Sequence, residues 1–482
     1  MMKKLLLVFL AGFCSAALMA ADKPKAVLIM LDGARNDAFL SQGYYPFNNP
    51  TPLGPDYHST VSFSTMTIPD APANSAPNHT AIATGVFATK SGVKDNGYTA
   101  GGNYSNYPNV LSYLAGNFKT AFLFGWAESG QIASSSPEVT YINVGDMEVE
   151  AAALKALADD VDAMQIYINA PDEGGHGYGF YPHSRQYREK LDFTVDIINN
   201  LLAAIAERPD FANEDWLVII VGDHGGYGLS HGMASAHARY PHLSIISKKY
   251  KDGVFTDSLS VADAAATLLA HFGVKPEEHD LDGKAVQGNV RPLMELPENL
   301  DFVSYERSGD ELPFAVNIDT ENGFTVYMRV NAAESQSGDA PLFGNKDWQN
   351  GSNPGIVMAC NYPYGGTGPG YIVNIGLKDK PNRSDIGSFD PLPGQEVGLI
   401  VSVFPDDRCF FMEYRPDGEC YLLTEPVPGT NMESGMPFYF GQDGTGKYPY
   451  TFNGSIKDVR ILEQPLYPEQ MLEFCRRYMT EE

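Results

Sequence analysis

Runs of consecutive apolar residues recur along the first two-thirds of the chain, and segments with helical periodicity separate them. A short apolar run bounded by polar or glycine residues is typical of a strand buried on both faces of a sheet. Strands that alternate with helices predict an α/β fold of three layers around a mainly parallel sheet. The predicted strands are 26–31, 119–124, 163–169, 216–221 and 242–247, and the predicted helices begin at Ser75 and cover 109–114, 149–159, 184–206 and 261–272.

The pattern changes near residue 290, where short runs of alternating apolar and polar residues replace the helical segments. Examples are 324–330, 370–377 and 397–404, and turns rich in Gly, Pro and Asp separate them. This pattern predicts an all-β jelly-roll sandwich. A polar joint that contains proline links the two patterns at 292–299. We therefore expect an α/β domain over 22–295 and a β domain over 300–482.

The first 21 residues have the features of a secretory signal peptide. Lys3 and Lys4 precede a short apolar core, and Ala20 and Ala21 provide the small residues of a cleavage region. No later stretch is long and apolar enough to span a bilayer. We therefore expect an exported protein, periplasmic or extracellular, without a transmembrane span.

Charge and cysteine content narrow the chemistry. A net charge of −27 over 482 residues leaves no basic surface for nucleic acid, although a local metal pair still permits a small phosphorylated substrate. Apart from Cys14 in the signal, every cysteine lies in the last third of the chain, so catalysis in the α/β domain does not use a thiol. An even number of cysteines in an exported chain predicts two disulfides, with three possible connectivities. These cysteines are Cys360, Cys409, Cys420 and Cys475.

Three of the predicted strands end close to side chains that bind metals. In open α/β sheets, ligands collect beyond the carboxyl ends of the strands. Carboxylates and imidazoles together are suitable ligands for a divalent metal. The residues concerned are Asp32, Asp172 with His176, Asp223 with His224, and His231 in the loop that follows.

Ser75 lies at a predicted helix start, two residues before Pro77. A serine followed by a proline in the first turn is a typical beginning of a helix. At this end of a helix the dipole favours an alkoxide or a phosphate. Plain capping is the alternative interpretation, because it accounts for most serines in such positions.

Together these motifs resemble the alkaline phosphatase superfamily, most closely its nucleotide pyrophosphatase/phosphodiesterase branch. The motifs that carry the resemblance are LDGAR, SAPNHTAIATG, PDEGGH, and GDHGG followed by SHG, over roughly 25–290. The resemblance implies a hydrolase of phosphoric esters that uses two Zn²⁺ ions and a phosphoseryl intermediate. The implied substrate is a phosphorylated small molecule or a glycan-linked phosphoester.

The resemblance also implies roles for individual residues. Asn78 would help to hold a phosphate oxygen, and Ser75 would be the nucleophile. The implied ligands of one zinc are Asp172, His176 and a third histidine, for which His231 fits the spacing and His237 is the runner-up. The implied ligands of the other zinc are Asp32, Ser75, Asp223 and His224. The histidines expected to be structural or rim residues are His79, His183 and His242.

The chain departs from the patterns of the branches in ways that affect its substrate. Ser75 stands where the diesterase branch usually has threonine, and serine is what the phosphatases proper use. His79 stands where a formylglycine sulfatase needs arginine, which argues against a sulfatase. Since no arginine follows the motif to bind a phosphate dianion, we expect a diester to be preferred over a monoester. The glycine-rich loops 174–179 and 225–228 are expected to leave room for its second group.

The β domain resembles a laminin-G or concanavalin-like module, chiefly through FNGSIKDVRILEQPLYPEQM at 452–471. Many such modules bind glycans, so carbohydrate is a candidate partner. Because every implied ligand precedes Val290, we expect the β domain to be an accessory to catalysis. The alternatives left open are a phosphomonoesterase or phosphonate hydrolase of the same superfamily, and a glycan-binding surface protein with an inactive hydrolase domain.

Overall fold

The computed structural model of the protein describes most of the chain beyond the predicted signal at 1–21, which lies outside the described residues. The residues described are 22–44, 52–98, 101–133, 144–233, 235–305, 312–350, 352–361, 370–377, 383–388, 394–406, 408–418, 420–426 and 430–479.

Eight strands of the first part of the chain form one mixed, mostly parallel sheet, in the order β10-β8-β2-β7-β6-β1-β5-β4. The pairings of β7 with β2 and β6, and of β10 with β8, are antiparallel. β3 and β9 form a separate parallel pair. The strands are β1 (Lys23–Leu31), β2 (His58–Ser62), β3 (Thr65–Met66), β4 (Thr120–Leu123), β5 (Ala163–Ile168), β6 (Glu214–Gly222), β7 (Leu243–Ser247), β8 (Gly253–Phe255), β9 (Leu259–Ser260) and β10 (Val290–Arg291).

Helices cover both faces of this sheet, as the alternating pattern predicted. Short 3₁₀ turns occupy Val110–Tyr113, Ala127–Ser129, Phe211–Asn213 and Pro276–Glu278. The first of these replaces the helix predicted at 109–114, because Asn109 accepts from Leu111 N and closes only a single turn. The α-helices are α1 (Asn36–Ser41), α2 (Ser75–Thr84), α3 (Ala88–Ser91), α4 (Gly130–Ala133), α5 (Asp146–Ala158), α6 (Ala170–Tyr178), α7 (Arg185–Ala206), α8 (Ala236–Arg239), α9 (Asp263–His271) and α10 (Pro468–Met479).

The central strand β6 explains why the apolar runs are continuous. Leu217, Ile219 and Val221 pack into the core on the face covered by α2 and α9. The residues between them pack into the opposite core with α5 and α7. A strand buried on both faces needs apolar residues at every position, which is the predicted arrangement. The fold class is therefore confirmed as a three-layer α/β sheet.

The last part of the chain forms two six-stranded antiparallel sheets with an apolar core between them, in agreement with the predicted β-sandwich. Their orders are β11-β22-β13-β18-β19-β20 and β12-β21-β14-β15-β16-β17. The strands are β11 (Val303–Tyr305), β12 (Phe314–Val316), β13 (Phe324–Ala332), β14 (Ala340–Gly344), β15 (Ile356–Asn361), β16 (Gly370–Gly376), β17 (Arg383–Ser388), β18 (Glu396–Val403), β19 (Arg408–Tyr414), β20 (Cys420–Pro426), β21 (Phe438–Phe440) and β22 (Gly454–Leu462).

The prediction of two disulfides is wrong for this structure, in which Cys360, Cys409, Cys420 and Cys475 are all buried and form no disulfide. In the strand register Cys360 lies opposite Tyr371 and Ala340, and Cys409 lies opposite Val403 and Glu425. The cysteines therefore serve as small core residues, a role for which a buried thiol is well suited. Among the described residues, no helix combines the length and the apolar character that a membrane crossing requires.

Candidate metal centre

The register of three adjacent strands brings the predicted acidic residues to one edge of the sheet. Leu31 at the end of β1 pairs with Gly222 of β6 and with Ile168 of β5. Asp32 and Asp223, each the next residue along its strand, therefore lie side by side. Asp172 comes from the first turn of α6, which starts directly after β5. Thus the fold assembles three carboxylates at the carboxyl edge, as the sequence predicted.

Ser75 is the first residue of α2, and its side chain faces this edge. Ser75 Oγ lies 3.0 Å from His224 Nε2 and donates to Asp32 Oδ1 over 3.4 Å. The N-cap of α2 is Asn74, and its side chain makes no capping hydrogen bond. Because Ser75 Oγ contacts Asp32 and His224 and Asn74 is the N-cap residue, the Ser75 hydroxyl does not cap the helix. The positive end of the α2 dipole lies next to the group of acids.

Three histidines of the edge share one hydrogen-bonding arrangement. In each ring Nδ1 lies close to a backbone carbonyl: Leu229 O for His176 at 2.8 Å, Gly225 O for His224 at 2.8 Å, and Ala73 O for His231 at 3.3 Å. Because a carbonyl oxygen only accepts, Nδ1 carries a proton, and in the neutral ring Nε2 keeps its lone pair. This tautomer is the one that a histidine adopts when Nε2 binds a metal.

The Nε2 atoms converge on the carboxylates. His176 Nε2 lies 3.4 Å from Asp172 Oδ2, and His231 Nε2 lies 4.0 Å from Asp172 Oδ1. His224 Nε2 lies 3.3 Å from Asp32 Oδ1 and 3.4 Å from Asp223 Oδ2. The rings of His224 and His231 stack with centroids 4.0 Å apart. The residues around Asp172 and those around Asp32 and Asp223 are therefore in direct contact.

Two groups of ligand atoms are compact enough to hold a metal ion, with the atoms of each group within 4.8 Å of one another. One contains Asp172, His224 and His231, and the other contains Asp32, His79 and Asp223. Asp172 Oδ1 and Asp223 Oδ2 are buried without a hydrogen-bond partner. Unsatisfied carboxylate oxygens beside imidazole nitrogens are the chemistry that a divalent cation satisfies, so these residues fit a metal.

His79 is the largest departure from the predicted site. It was expected to be a structural or rim residue, yet its ring is fully buried and its Nε2 lies 2.9 Å from Asp223 Oδ2 and 3.5 Å from Asp32 Oδ2. Neither ring nitrogen has a hydrogen-bond partner of good geometry. The available signal was its position four residues after Ser75, which places both side chains on one face of α2.

The crowding of charged groups shifts the pKa values in the centre. Burial and then the charge of Asp32 raise the pKa of Asp172 to about 8. Burial acts to lower the pKa of His224, but the neighbouring Asp223 and Asp32 carboxylates raise it to about 10. Burial, followed by the charge of His224, lowers the pKa of His231 to about 3. Such opposed shifts within one cluster are typical of functional sites.

Asn78 does not line the group of acids as expected. Its Oδ1 accepts from Ile68 N over 3.0 Å and its Nδ2 donates to Asn74 O over 2.8 Å, so the side chain ties the loop before α2 to the helix. A second amide, Asn96, bonds next to the nucleophile: its Oδ1 accepts from Ala76 N over 3.0 Å. Sequence reasoning missed Asn96 because it lies 21 residues after Ser75, outside the motif.

The remaining histidines have other partners. His237 Nδ1 lies 2.8 Å from Arg35 Nη2 and therefore accepts, which is the opposite tautomer to that of the three site histidines. His242 stacks on Phe39 at 4.2 Å and has Ser244 Oγ 3.0 Å from its Nε2, a structural position as expected. His183 contacts Arg415 of the β-sandwich.

Some glycines of the two glycine-rich loops are closely packed and leave no room for a substrate group, whereas Gly177 has open space around it and Gly228 has only an ordinary contact with Tyr181. A Cβ atom placed on Gly175 would come within 2.2 Å of the Phe180 ring, and one on Gly226 within 2.5 Å. These glycines instead let the Phe180 ring pack against the backbone of both loops. A cavity of about 490 Å³ is lined by Trp126, Asp146, Tyr167, Asn169 and Glu173, and the Tyr167 hydroxyl donates to Asp32 of the centre.

Part of the chain is similar in sequence to one known protein family. Residues 27–234 match the sequence profile of the family described as type I phosphodiesterase / nucleotide pyrophosphatase. A search of curated proteins found no match.

Three similar solved structures cover 56% to 82% of the chain. The periplasmic domain of the phosphoethanolamine transferase EptC from Campylobacter jejuni is 14% identical, with 56% of this chain and 97% of that chain covered and a TM-score of 0.39. Murine ectonucleotide pyrophosphatase/phosphodiesterase 5 is 12% identical, with 56% and 98% covered and a TM-score of 0.39. A protein solved with its substrate D-glucosamine-2-N,6-O-disulfate is 12% identical, with 82% and 91% covered and a TM-score of 0.41.

The family match covers the segment that contains all of the predicted ligands and ends before the β-sandwich, for which the laminin-G resemblance stays a prediction. The resemblance deduced from the motifs is confirmed: residues 27–234 match the type I phosphodiesterase / nucleotide pyrophosphatase family, a branch of the alkaline phosphatase superfamily.

Proposed function

We propose that the chain is an exported, two-zinc hydrolase of phosphoric esters in which Ser75 is the nucleophile. The family supports a phosphoester hydrolase. The observation that carries the proposal is that Ser75 Oγ, three carboxylates and three histidines whose Nε2 atoms face those carboxylates meet at one sheet edge. Aspartate and histidine in this ratio suit zinc better than magnesium or calcium, which prefer oxygen ligands.

In this proposal each metal has its own set of ligands. The ligands proposed for the first zinc are Asp172, His176 and His231. Those proposed for the second are Asp32, Ser75, Asp223 and His224, with His79 beside Asp223. His231 is preferred to His237 because the Arg35 guanidinium already occupies the Nδ1 lone pair of His237. When bound, the metal pair supplies Lewis acidity at the phosphate oxygens and at the leaving group.

The proposed reaction is two successive displacements at phosphorus. Ser75 Oγ forms a bond to phosphorus while the bond to the leaving alcohol breaks and its electron pair departs with the alcohol oxygen. The serine proton passes to Asp32 Oδ1, which accepts from Ser75 Oγ over 3.4 Å. Water then attacks the phosphoseryl group and the bond from phosphorus to Oγ breaks, so that Ser75 regains a proton. The free Nδ2 of Asn96 is the proposed donor to a phosphate oxygen.

We propose a diester as the preferred substrate. Of the described side chains at the centre, none that directly surrounds Ser75 is an arginine or a lysine, so a dianionic monoester lacks a counter-charge beyond the metals. The cavity that begins at Tyr167 gives the second ester group a place to bind, with the Trp126 ring as an apolar wall. Glycan-linked phosphoesters are a candidate class if the β-sandwich binds carbohydrate.

The test compares nitrophenyl substrates with the zinc-loaded, full-length protein. We expect kcat/KM to be highest for a nitrophenyl diester, lower for the monoester and phosphonate, and negligible for the sulfate. A higher kcat/KM for the monoester would overturn the diester preference. Activity that persists fully in a strong chelator would overturn the metal-dependent mechanism.

The nucleophile is tested by Ser75→Ala. Since this change removes the covalent step, we expect a rate loss on the order of 10³-fold or more while two zinc ions remain bound. Ser91→Ala is the matched control, because Ser91 is also buried at the end of a short helix, where its Oγ accepts from Val93 N. Turnover of Ser75→Ala close to that of the control would exclude Ser75 as the nucleophile.

A further inference from the structure

The edge strand of the sandwich lies against the part of the α/β domain that carries the candidate centre. β20, the last strand of its sheet, contacts α1 and α8. α1 begins four residues after Asp32, and α8 begins five residues after His231. The sandwich therefore meets the two segments that frame the proposed metal site.

Tyr421 is the centre of this contact. Its side chain is fully buried, and its hydroxyl bonds to Nδ1 of His183 in the α/β domain. Arg415 also reaches His183 Nδ1, over 3.0 Å, and its guanidinium covers the Tyr421 ring at 4.2 Å. Arg415 Nε also donates to Glu413 Oε1 over 3.0 Å, which fixes the guanidinium. Two groups of the sandwich thus fix one histidine of the α/β domain.

His183 belongs to the short segment between α6 and α7. The segment begins three residues after His176, where α6 has ended. At its other end Ser184 caps α7 by accepting from Tyr187 N. The His183 ring stacks on Tyr181 at 5.0 Å. Holding His183 in place therefore restricts the segment that emerges from the helix with Asp172 and His176.

Arg35 gives a second route from Tyr421 to the centre. It lies 5.7 Å from the centroid of the Tyr421 ring and is itself buried. Its Nη1 donates to the carbonyls of Phe180 and Gly226, over 2.5 and 3.2 Å, which ties together the loops that follow His176 and His224. Asp37 accepts from Arg35 Nε over 2.9 Å and fixes the guanidinium in this position.

The Phe180 ring completes the connection. Its centroid lies 5.4 Å from that of His176 and 6.3 Å from that of His231. The ring also fills the space beside Gly33, Gly175 and Gly226. Because the protein interior is densely packed, a shift of Phe180 displaces the imidazoles that it contacts.

We propose that the β-sandwich is a structural part of the catalytic centre, in which Tyr421 and Arg415 act as positioning residues for His176 and His231 through His183, Arg35 and Phe180. This inference rests on the proposed function and runs counter to the expectation that the β domain is only an accessory. It places the two sandwich residues among the outer residues that hold the ligands of the first zinc site in position. Residues of such shells typically change metal affinity by 10- to 100-fold when they are replaced.

The test uses the full-length protein with Tyr421→Phe, which removes only the hydroxyl that bonds to His183. We expect faster amide hydrogen exchange in 176–184, about tenfold weaker binding at one of the two zinc sites, and a lower kcat with little change in KM. Arg415→Lys, which keeps the charge but loses the planar fork, should change the same three measurements in the same direction.

Tyr327→Phe is the matched control, since Tyr327 is also buried in the sandwich but its hydroxyl contacts the Met479 sulfur at 3.8 Å. The proposal is overturned if Tyr421→Phe and the control have equal exchange in 176–184 and equal zinc affinity. Exchange is measured without metal or substrate, so it decides the proposal even if the wild-type protein cleaves no phosphoester. A wild-type protein that cleaves no phosphoester would refute the proposed function but not this inference.

Discussion

The hydroxyl of Tyr167 donates to Asp32 Oδ2 over 2.7 Å. Both side chains are buried, and Tyr167 Oη is also 2.7 Å from Asn169 Oδ1. The bond fixes the orientation of the Asp32 carboxylate, whose other oxygen faces Ser75 and His224. Tyr167 therefore connects the wall of the substrate cavity to a proposed zinc ligand.

Tyr167→Phe should lower kcat/KM about tenfold, because an outer-shell hydrogen bond to a ligand carboxylate is lost. The measurement is steady-state hydrolysis of a nitrophenyl diester, together with the zinc stoichiometry. Tyr57→Phe is the control: Tyr57 is a buried tyrosine of the same domain that bonds to Glu214 O at the opposite end of the sheet. Equal rates for the two variants would show that Tyr167 does not orient Asp32.

His79→Gln should weaken zinc binding at the site that contains Asp223. The imidazole that lies 2.9 Å from Asp223 Oδ2 is replaced by an amide that cannot reproduce its geometry. We expect one of the two zinc ions to be lost first in a chelator titration, at about tenfold lower chelator concentration than in the wild type. His242→Gln, equally buried but away from the acids, is the control. Unchanged affinity would make His79 a packing residue only.

His231→Ala should lower zinc occupancy from two ions to about one per chain, because a ligand of the first site is removed. His237→Ala should keep both ions, since His237 bonds to Arg35 and not to the carboxylates. Metal analysis of the two purified variants distinguishes the residues. If only His237→Ala loses zinc, the two assignments are reversed.

The contact between the domains should also make stability depend on pH. Burial, together with the charges of Arg415 and Arg35, lowers the pKa of His183 to about 4, from 6.5 in the unfolded chain. The neutral ring therefore contributes stability that is complete above pH 6.5 and is lost as the pH falls through 4. The Tyr421 hydroxyl and the Asp417 carboxylate are the other titratable groups that act on it.

Urea unfolding of the wild type and of His183→Gln at pH 7.5, 6.0 and 4.5 measures this contribution. We expect the difference in the free energy of unfolding to shrink steadily as the pH falls, since the glutamine does not titrate. A difference that stays constant over this range would show that His183 is not held neutral at the interface.

Much of the sheet was predictable because continuous apolar runs have few alternatives in a chain of this length. Strand β6 was predicted nearly to its ends, whereas its register with β1 could not be read from a strand that is apolar at almost every position. By contrast, 174–179 was expected to be a glycine-rich loop, and all but its last residue belongs to α6. Gly174 and Gly175 disfavour a helix, and only their packing against Lys190 and Phe180 explains them.

The site was predictable where a ligand directly follows a strand, and not where it depends on packing. All ten residues of α2 are buried, so no polar face indicated that His79 points toward the acids. Tyr167 lies in a strand with apolar neighbours on both sides, and its face becomes clear only from the sheet order. The contact between His183 and Tyr421 joins positions 238 residues apart, which no local pattern encodes.

The apolar cluster between the two parts of the chain has a consequence for the order of synthesis. It combines Leu40, Val61 and Phe63 with Phe410 of β19 and Phe474 of α10. Leu40, Val61 and Phe63 are synthesised hundreds of residues before Phe410 and Phe474. Their apolar side chains therefore remain exposed until the later residues have been made. On the proposal that the sandwich positions His176 and His231, the centre reaches its final geometry only after residues 410–474 have been synthesised and have docked.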